Sequence, residues 1–369
     1  MDFSFTEEQA AVVESARHLF NGHLTDSRRT EVESGEDGFD RTLWKGLAAA
    51  NLLGLAVSPE DGGSGFGFGE LSVLLEEAGR AAAPVPLWAS LVLGGLPVAR
   101  FGSSELRSQL LSPMVAGDLV LTAALIEPGA DPLRPATEAK RSGAGWEITG
   151  SKTCVPAGTV AGALLVPART DRGDTVVLVV DASSDGVDII RLETTTGIPE
   201  AHLDFNGVAV GEERVLGGAE VLSWLLPRAT AGLCSLMAGT CRSAIDLTSE
   251  YARSRQQFGR VIASFQAVGQ RAAEAYIDAE AVELTSRQAA WRLAEDRSAD
   301  EQVAIAKFWA AEGGQRVVHA AQHLHGGVGV DRSYPLHRYF LAAKQLELTL
   351  GGATTSLVRL GELIAGGEA

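Results

Sequence analysis

The sequence contains little of several residue types, and each shortage excludes a class of protein. Cysteine occurs 3 times in 369 residues, which argues against a disulfide framework or a cysteine-rich metal centre and favours a reducing compartment. The longest apolar run, from Leu87 to Val98, is interrupted by a serine and by glycines and falls short of the roughly 20 residues that span a bilayer. No basic region followed by an apolar stretch opens the chain. We therefore expect a cytoplasmic protein that does not associate with a membrane.

Positive charge is also scarce relative to negative charge. Lysine and arginine number 31 against 47 aspartate and glutamate residues, which gives a formal net charge of −16. Such a surface repels a phosphate backbone, so nucleic-acid binding is not expected, although local basic residues can still bind a small anion. Aromatic residues make up only 6% of the chain while 46% of it is hydrophobic, a composition typical of a helix-rich globular protein.

The order of secondary structure along the chain is helix, β, helix. Apolar positions recur every three or four residues from Thr6 to the end of the first third, apart from a glycine-rich loop at 58–67. Short β-type runs separated by Gly, Asp, Pro and Ser follow, and long amphipathic helices then return. We predict an α+β protein with an N-terminal α-helical domain at 1–118, a middle β domain at 119–222 and a C-terminal helical domain at 223–369. No GxGxxG motif joins a strand to a helix, which disfavours a doubly wound nucleotide-binding domain.

Three arginines, Arg253, Arg255 and Arg260, surround Phe258 in a segment where one predicted helix ends and the next begins. A Phe-Gly pair is predicted to form the turn between them. Guanidinium groups bind phosphate oxygens through two parallel hydrogen bonds, and a phenyl ring can pack on a heterocycle. The segment is therefore a candidate half-site for a dinucleotide pyrophosphate. The alternative is a solvated basic helix end that the helix dipole stabilises.

A glycine-rich turn follows a long predicted helix in the segment QHLHGGVGVDRSYP. Its glycines would let a ligand approach the backbone closely, whereas the structural alternative is a glycine that caps the helix. His319, His323 and His325 raise the question of a metal, but no further ligand stands at a fixed spacing, so no metal site is expected. Cys234 and Cys241 lie in an apolar helical stretch and are expected in the core.

Together these motifs resemble the acyl-CoA dehydrogenase family. The resemblance rests on RxxFG before a helix, on xxxGGxG followed by YP, on the opening MDFxxTEEQ, on LLGLAVSPEDGGSGFGFGE and on IEPGAD, and it covers nearly the whole chain. It implies an N-terminal helical domain, a middle β-barrel or sandwich and a C-terminal four-helix bundle, with FAD bound between two subunits. It also implies that a chain contributes to its neighbour's FAD the residues that here are Arg255, Phe258, His323, Gly326 and Gly327. His323 stands where the family usually has glutamine.

The positions of the family's catalytic base are empty in this sequence. Counted from the glycine turn, the carboxylate that removes the α-proton falls on Leu350, and a leucine cannot act as a base. The alternative base position of some family members falls on Ala229, and the arginine that follows it in the family is Thr230. The resemblance therefore implies no catalytic residue in this chain.

The residues that hold the flavin within one subunit of the family are also changed. The family's EPGAGSD is shortened to the segment from Glu127 to Asp131, and its Trp-Ile-Thr segment is replaced by Cys154, Val155 and Pro156. Proline has no N–H to donate, and cysteine has no ring to stack on the flavin. The half-site for a neighbour's flavin is kept while the chain's own is lost. This asymmetry resembles the non-catalytic subunits of the heterotetrameric acyl-CoA dehydrogenases that actinobacteria use on steroid side-chain CoA thioesters.

Resemblance to such a subunit implies specific partners. FAD would be held mainly by a catalytic acyl-CoA dehydrogenase subunit, in a heterotetramer with two copies of each chain. The acyl-CoA substrate would occupy that partner's site, and an electron-transfer flavoprotein would accept the electrons. Two alternatives stay open. One is a self-sufficient homotetrameric enzyme with Glu347, one helical turn before Leu350, as a relocated base; the other is a non-enzymatic CoA-thioester binder or scaffold.

Overall fold

A computed structural model describes residues 4–366 of the chain. Contacts group these residues into two compact units. The first unit contains residues 4–20, 72–83 and 230–366, and the second contains residues 21–71 and 84–229. The domain boundaries expected after residues 118 and 222 remain predictions.

Helices occupy the chain up to residue 115. At the start of the helix Arg41–Ala49 the Asp40 carboxylate accepts the N–H groups of Thr42 and Leu43 at 3.1 and 3.0 Å, so that the first turn of this helix is capped. The loop predicted at 58–67 contains a 3₁₀ turn, Pro59–Asp61. The helices are α1 Glu7–His23, α2 Asp26–Ser34, α3 Arg41–Ala49, α4 Phe68–Ala81, a π-helical stretch Trp88–Gly95 that continues into α5 Leu96–Phe101, and α6 Ser104–Val115.

The second unit contains one mixed sheet of 8 strands. Its strands are β1 Leu121–Ala123, β2 Glu138–Ser142, β3 Gly145–Pro156, β4 Ala163–Thr170, β5 Thr175–Asp181, β6 Val187–Leu192, β7 Glu200–Gly211 and β8 Val215–Gly217. They lie in the order β6-β7-β3-β2-β4-β5-β8, and β1 pairs in parallel with β4. The apolar runs predicted as strands form β1, β3, β4, β5, β6 and β7. The α+β prediction is thereby confirmed, and most residues of β4 and β5 are buried.

Strand β2 is a strand that the sequence patterns do not reveal. Its sequence, EAKRS, is polar, and it pairs antiparallel with the start of β3. Arg141 lies opposite Trp146 in this pair, and its guanidinium stacks 3.9 Å from the centre of the indole ring. The same guanidinium binds the Glu212 carboxylate at 2.5 Å. Cross-strand contacts, rather than local propensity, therefore make this segment a strand.

Long helices make up most of the first unit. They are the part of α7 Ala219–Ser254 beyond residue 229, then α8 Gln266–Ala294, α9 Asp300–His325, α10 Leu336–Leu348 and α11 Ala353–Gly366. Helix α9 packs against α8, α10 and α11. Arg242 on α7 donates to Glu280 and Glu283 on α8 at 2.7 and 2.5 Å, which ties α7 to α8. These packed helices agree with the helical bundle that the resemblance implies.

Helices α4 and α7 touch through their backbones within the first unit. A Cβ atom at Gly239 would lie 1.8 Å from the carbonyl oxygen of Glu76, and one at Gly79 would lie 2.1 Å from that of Leu236. Real Cβ atoms do not come so close to backbone atoms, because the contact lies far inside the van der Waals radii. Only glycine at these two positions permits the crossing.

Helix α7 is long and apolar enough to cross a membrane, judged by length and composition alone. In the structure, 67% of its most apolar stretch is buried, and a core helix meets the same two criteria. Cys234 and Cys241 lie on this helix and are buried, as predicted. Burial raises the pKa of each thiol to about 12, so both are inert core residues. The absence of membrane association remains a prediction.

Candidate functional site

A short hairpin follows the last turn of α7. Strands β9 Gln256–Gln257 and β10 Arg260–Val261 pair antiparallel. The two residues between them, Phe258 and Gly259, have positive φ angles of 53° and 77°. Two positive φ angles in a two-residue loop are the mark of a type I′ turn, which favours asparagine or glycine. The turn predicted at this Phe-Gly pair is confirmed, although it joins two short strands rather than two helices.

Phe258 holds its ring away from the protein. Its exposed fraction is 92%, and the centre of its ring lies 6.2 Å from that of Phe265. The Arg260 guanidinium stacks over Phe265 instead, 4.2 Å from the ring centre. A residue other than glycine at positive φ costs about 1 to 2 kcal/mol, and no burial of the Phe258 ring offsets this cost. A strained and exposed aromatic residue of this kind is typical of a surface that another molecule covers.

Arg253 and Arg255 lie just before this hairpin. Both side chains are exposed, and neither guanidinium pairs with a carboxylate among residues 4–366. The backbone of Arg255 is fixed, because its N–H donates to Tyr251 O at 2.8 Å and its carbonyl accepts the Ile262 N–H at 2.9 Å. A fixed backbone with an unpaired guanidinium can bind a phosphate group of another molecule.

The glycine turn begins where α9 ends at His325. Gly326 has φ 60° and ψ −137°, a conformation that only glycine adopts readily, and its N–H donates to the carbonyls of Gln322 and His323. Gly326 is therefore the helix cap that the structural alternative predicts. A Cβ atom on Gly326 or Gly327 would meet no atom within 4 Å, so the outer side of the turn is open. The cap and the close approach of a ligand are compatible, since they use opposite sides of the turn.

A cleft of about 320 Å³ lies between the end of α7, the start of α8 and the end of α9. Its lining is mostly small and apolar, and includes Ala252, Val268, Ala272 and Leu324 together with Arg253. Sequence patterns do not reveal the cleft, because its walls come from segments far apart in the chain. The one available signal is the run QAVGQRAAE at the start of α8, which lacks the large apolar residues of a buried helix face.

Leu350 lies in a sharp turn between α10 and α11. Its φ is 57°, in the left-handed region, and its side chain is half-buried. Buried Lys307 on α9 holds the end of α10 just before this turn, because its Nζ donates to the carbonyl oxygens of Leu346 and Glu347 at 2.6 and 3.2 Å. Burial lowers the pKa of Lys307 to about 8. The turn thus keeps a defined shape although an aliphatic side chain occupies it.

The two other candidate base positions have structural partners. Ala229 is fully buried, and its carbonyl accepts the indole N–H of Trp88 at 2.9 Å. The Glu347 carboxylate accepts from Lys344 Nζ at 2.5 Å, three residues earlier on the same helix, and its side chain is only 17% exposed. A general base needs a lone pair directed at the substrate proton. The ion pair directs the Glu347 carboxylate along its own helix instead.

The segments that would cradle a flavin in this chain make internal contacts. Cys154 is exposed with φ 49°, and the carbonyl of Pro156 at the end of β3 accepts the Thr122 hydroxyl at 2.7 Å. The buried carboxylate of Glu127 binds Lys152 Nζ at 2.5 Å. Burial alone would raise the pKa of Glu127, but hydrogen bonds from Lys152 and from backbone amides outweigh it and hold the pKa below its ordinary value. Internal contacts therefore tie these segments to the sheet and its neighbouring loop.

The three histidines considered as metal ligands, His319, His323 and His325, lie in different environments. His319 packs edge-on against Phe340, with ring centroids 5.0 Å apart, and His323 is exposed at the end of α9. His325 is buried among aromatic rings. In the described part of the chain, no three His, Cys, Asp or Glu side chains come together in a way that could hold a metal ion.

Sequence profiles of the acyl-CoA dehydrogenase family match three stretches of the chain. The profile of the N-terminal domain matches residues 6–118, that of the middle domain residues 124–208 and that of the C-terminal domain residues 217–360. The matches cover most of the sequence, so the chain belongs to the acyl-CoA dehydrogenase family, whose members are oxidoreductases that act on CH–CH bonds. The family resemblance seen in the motifs is thereby confirmed.

Individual members of the family are similar along nearly their whole length. The chain is 43% identical to acyl-CoA dehydrogenase FadE27 of Mycobacterium tuberculosis over 374 aligned residues, which cover 99% of each protein. A chain in the crystal structure of the ChsE4-ChsE5 complex from the same organism is 44% identical, with a TM-score of 0.95 and 99% of both chains covered. A chain of the Tcur3481-Tcur3483 steroid ACAD is also 44% identical, with a TM-score of 0.93, covering 98% of this chain and 99% of that one. These similarities confirm the acyl-CoA dehydrogenase fold.

Proposed function

We propose that this chain is the non-catalytic subunit of an FAD-dependent acyl-CoA dehydrogenase complex and completes the FAD site of a catalytic partner. The observation that carries the proposal is a contrast within the first unit. Arg255 and Phe258 face outward, the one unpaired and the other 92% exposed, whereas Leu350 fills the turn where the base would stand. A chain that desaturates its own substrate needs the carboxylate. A chain that serves a neighbour needs only the outward-facing residues.

The outward-facing residues fit the pyrophosphate and adenosine end of FAD. Arg255 offers a fork of N–H donors that matches phosphate oxygens, and Phe258 offers the face of an aromatic ring. Exposed His323 adds a further polar group, and the open side of Gly326 and Gly327 leaves room for close approach to the backbone. When bound, FAD supplies the hydride acceptor for desaturation of the acyl chain. The residues of this chain bind and orient the cofactor and take no proton.

The chain's own flavin segment does not fit a second cofactor. Pro156 has no N–H, Cys154 has no ring, and Glu127 is already bound by Lys152. A flavin placed there would lose two or three hydrogen bonds of roughly 1 kcal/mol each and a stacking contact of similar size, about 3 to 4 kcal/mol in all. A loss of that size turns a nanomolar site into one that is micromolar or close to it. We therefore infer that the partner holds FAD by its main contacts.

The names of two similar structures support a two-protein assembly. One is called the ChsE4-ChsE5 complex, and the other the Tcur3481-Tcur3483 steroid ACAD. We propose that this chain likewise assembles with a catalytic acyl-CoA dehydrogenase subunit into a cytoplasmic heterotetramer with two copies of each chain. The substrate is then the CoA thioester of a steroid side chain, bound in the partner's site, and an electron-transfer flavoprotein accepts the electrons.

Flavin stoichiometry in the purified complex tests the proposal. The chain is produced together with the acyl-CoA dehydrogenases encoded beside it, and the FAD released on denaturation is divided by the protein mass. We expect one FAD for every two chains, and we expect this chain to be colourless or insoluble when produced alone. A ratio near one FAD per chain, or a yellow and active homotetramer, would contradict the proposal and favour the self-sufficient enzyme. A complex that binds acyl-CoA but no FAD would favour the scaffold.

A further inference from the structure

Three rings in the first unit, those of Tyr251, His325 and Tyr334, pack together, and we call them the aromatic clamp. Tyr251 stacks on His325 with ring centroids 4.4 Å apart and an angle of 23° between the planes. Tyr334 lies 5.1 Å from His325 and 6.2 Å from Tyr251 by the same measure. Tyr251 belongs to the last turn of α7, His325 ends α9, and Tyr334 precedes α10. The clamp therefore joins the end of α7 to the end of α9 and to the segment that precedes α10.

Both ring nitrogens of His325 make hydrogen bonds. Nδ1 lies 2.8 Å from Ala321 O, which can only accept, so the proton is assigned to Nδ1. Nε2 then accepts from the Tyr334 hydroxyl at 3.1 Å. The residue is 3% exposed, and burial lowers the pKa of His325, which favours the neutral ring. The imidazole is thus held in one orientation by the helix behind it and the hydroxyl in front of it.

The clamp is bonded to the backbone of both parts of the half-site. Tyr251 O accepts the N–H of Arg255 at 2.8 Å, immediately before the hairpin. The Tyr251 hydroxyl donates to His325 O at 3.4 Å, the last carbonyl before the glycine turn. On the far side of that turn, the Tyr334 N–H donates to Asp331 O at 3.0 Å. The hairpin and the glycine turn are therefore both bonded to the clamp, so a displacement of the clamp would move the hairpin relative to the turn.

We propose that His325 is a positioning residue for FAD, which acts through the aromatic clamp to fix the hairpin of Arg255 relative to the glycine turn at Gly326. The inference rests on the proposed function, because it requires a cofactor at this half-site. Because His325 is buried, it would act on the cofactor through the residues that it contacts. Another ring could fill its volume, but an imidazole is needed to satisfy both the Ala321 carbonyl and the Tyr334 hydroxyl.

Conservative ring substitutions test the hydrogen bonds separately from the packing. His325→Phe keeps a stacked ring and removes both bonds, so FAD should bind the flavin-depleted complex about 5- to 30-fold more weakly, as expected for one or two hydrogen bonds of roughly 1 kcal/mol each. Tyr334→Phe removes one bond and should weaken binding by about 5-fold. The double variant should bind no more weakly than His325→Phe. Fluorescence titration with FAD measures these affinities without any turnover.

His319→Phe is the matched control, because it makes the same change on the same helix at an exposed histidine that contacts an aromatic ring. It should leave the affinity for FAD unchanged. If His319→Phe weakens FAD binding as much as His325→Phe does, the effect is one of ring substitution on α9, and the proposal is overturned.

A mutant cycle with Arg255→Ala separates positioning from general stabilisation of the fold. If His325 acts by placing the hairpin, His325→Phe should add little to the loss once Arg255→Ala has removed the contact that is placed. Losses that simply add in the double variant would show that His325 only stabilises the protein, and would overturn the positioning role.

The same measurements distinguish failure of this inference from failure of the proposed function. If Arg255→Ala weakens FAD binding while His325→Phe leaves it unchanged, the positioning role is wrong and the half-site stands. If neither substitution changes the affinity, the half-site itself is wrong, and the proposed function fails with it.

Discussion

The hairpin at 256–261 and the flavin segment at 154–156 differ in where their functional groups find partners. Beside the hairpin, Arg255 has no ion pair in the described chain, and Phe258 is held at positive φ with its ring in solvent. In the flavin segment, the Pro156 carbonyl is bound by a threonine hydroxyl, and nearby Glu127 is neutralised by a buried lysine. Where polar groups are bound by residues of the same chain, the segment serves the fold. Where a charged group and an aromatic ring have no such partner, the segment can contact another molecule.

The largest expected effect concerns Leu350, which, like the flavin segment, lacks a group that an active site in this chain would need. Leu350→Ala should leave the kcat of the complex nearly unchanged, because no proton is transferred at this position. Removal of the catalytic carboxylate of the partner should lower kcat by about 10²- to 10⁴-fold. Steady-state kinetics with an artificial electron acceptor compare the two variants. A large loss for Leu350→Ala, with assembly and flavin content intact, would place catalysis in this chain after all.

A smaller effect is expected at Arg255, which lies beside the hairpin and is predicted to bind FAD. Arg255→Ala should weaken the retention of FAD in the assembled complex by roughly tenfold to hundredfold, because a charge-assisted hydrogen bond contributes about 1.5 to 3 kcal/mol. Flavin content after dialysis measures the loss. Arg359→Ala, which removes an exposed arginine on α11, is the matched control and should retain FAD normally. If both variants retained FAD equally well, Arg255 would not contribute to FAD binding, and the hairpin would not differ from the flavin segment in the way described.

The pH dependence of stability tests whether Lys307 is buried against the end of α10, next to the turn at Leu350. Lys307 keeps its proton up to about pH 10.4 in the unfolded chain, but burial lowers its pKa to about 8 in the folded protein. Between these pH values the unfolded state binds more protons, so the free energy of unfolding gains up to about 1.4 kcal/mol per pH unit from this group as the pH rises. Below the folded pKa the lysine is charged in both states and contributes no slope.

Thermal unfolding of the complex, followed at several pH values in this range, isolates the contribution of Lys307 by comparison with Lys307→Met. The wild-type protein should gain stability relative to the variant as the pH rises. Parallel curves would mean that Lys307 titrates in the folded protein as it does in water. Such a result would contradict the burial of Lys307 at the end of α10.

The smallest expected effect concerns the strain at Phe258. Phe258→Asn creates the Asn-Gly pair that a type I′ turn favours, so it should raise the free energy of unfolding of the flavin-free complex by about 0.5 to 1 kcal/mol, part of the cost of a positive φ. The same variant should hold FAD less tightly, because it lacks the ring. Thermal unfolding and flavin titration follow the two effects, with Gln257→Asn in the neighbouring strand as control. If the variant lost both stability and affinity for FAD, the result would contradict the view that the Phe258 ring costs stability and serves to contact the cofactor.

Much of the fold was predictable because its buried elements are locally consistent. The runs that form β4 and β5 have continuous apolar centres, and these centres are buried in the sheet. Strand β2 was not predictable, since its polar residues become a strand only by pairing with β3. The turn at Phe258 was visible from the Phe-Gly pair, whereas β9 and β10 are two residues long and carry no periodic signal.

The candidate site was predictable as a set of residues but not as an arrangement. Motifs identify Arg255 and Gly326, yet their shared anchor depends on the aromatic clamp, whose rings come from three separate segments. Alignment with the family identifies Leu350 as an empty base position, but its positive φ and the contact of Lys307 with the end of α10 arise from tertiary packing. Periodicity within a segment reports burial, and it carries no information on which distant segments meet.

The backbone contact between α4 and α7 restricts how this sequence can evolve. At Gly79 and Gly239 there is no space for a methyl group, so even alanine must push the two helices apart. A solvent-facing position of the same helix, such as Glu250, has no such limit. A library that randomises α7 and is selected for assembly should therefore accept many residue types at position 250 and glycine alone at position 239. Among descendants of this gene, the crossing point would stay constant long after the helix surfaces had diverged.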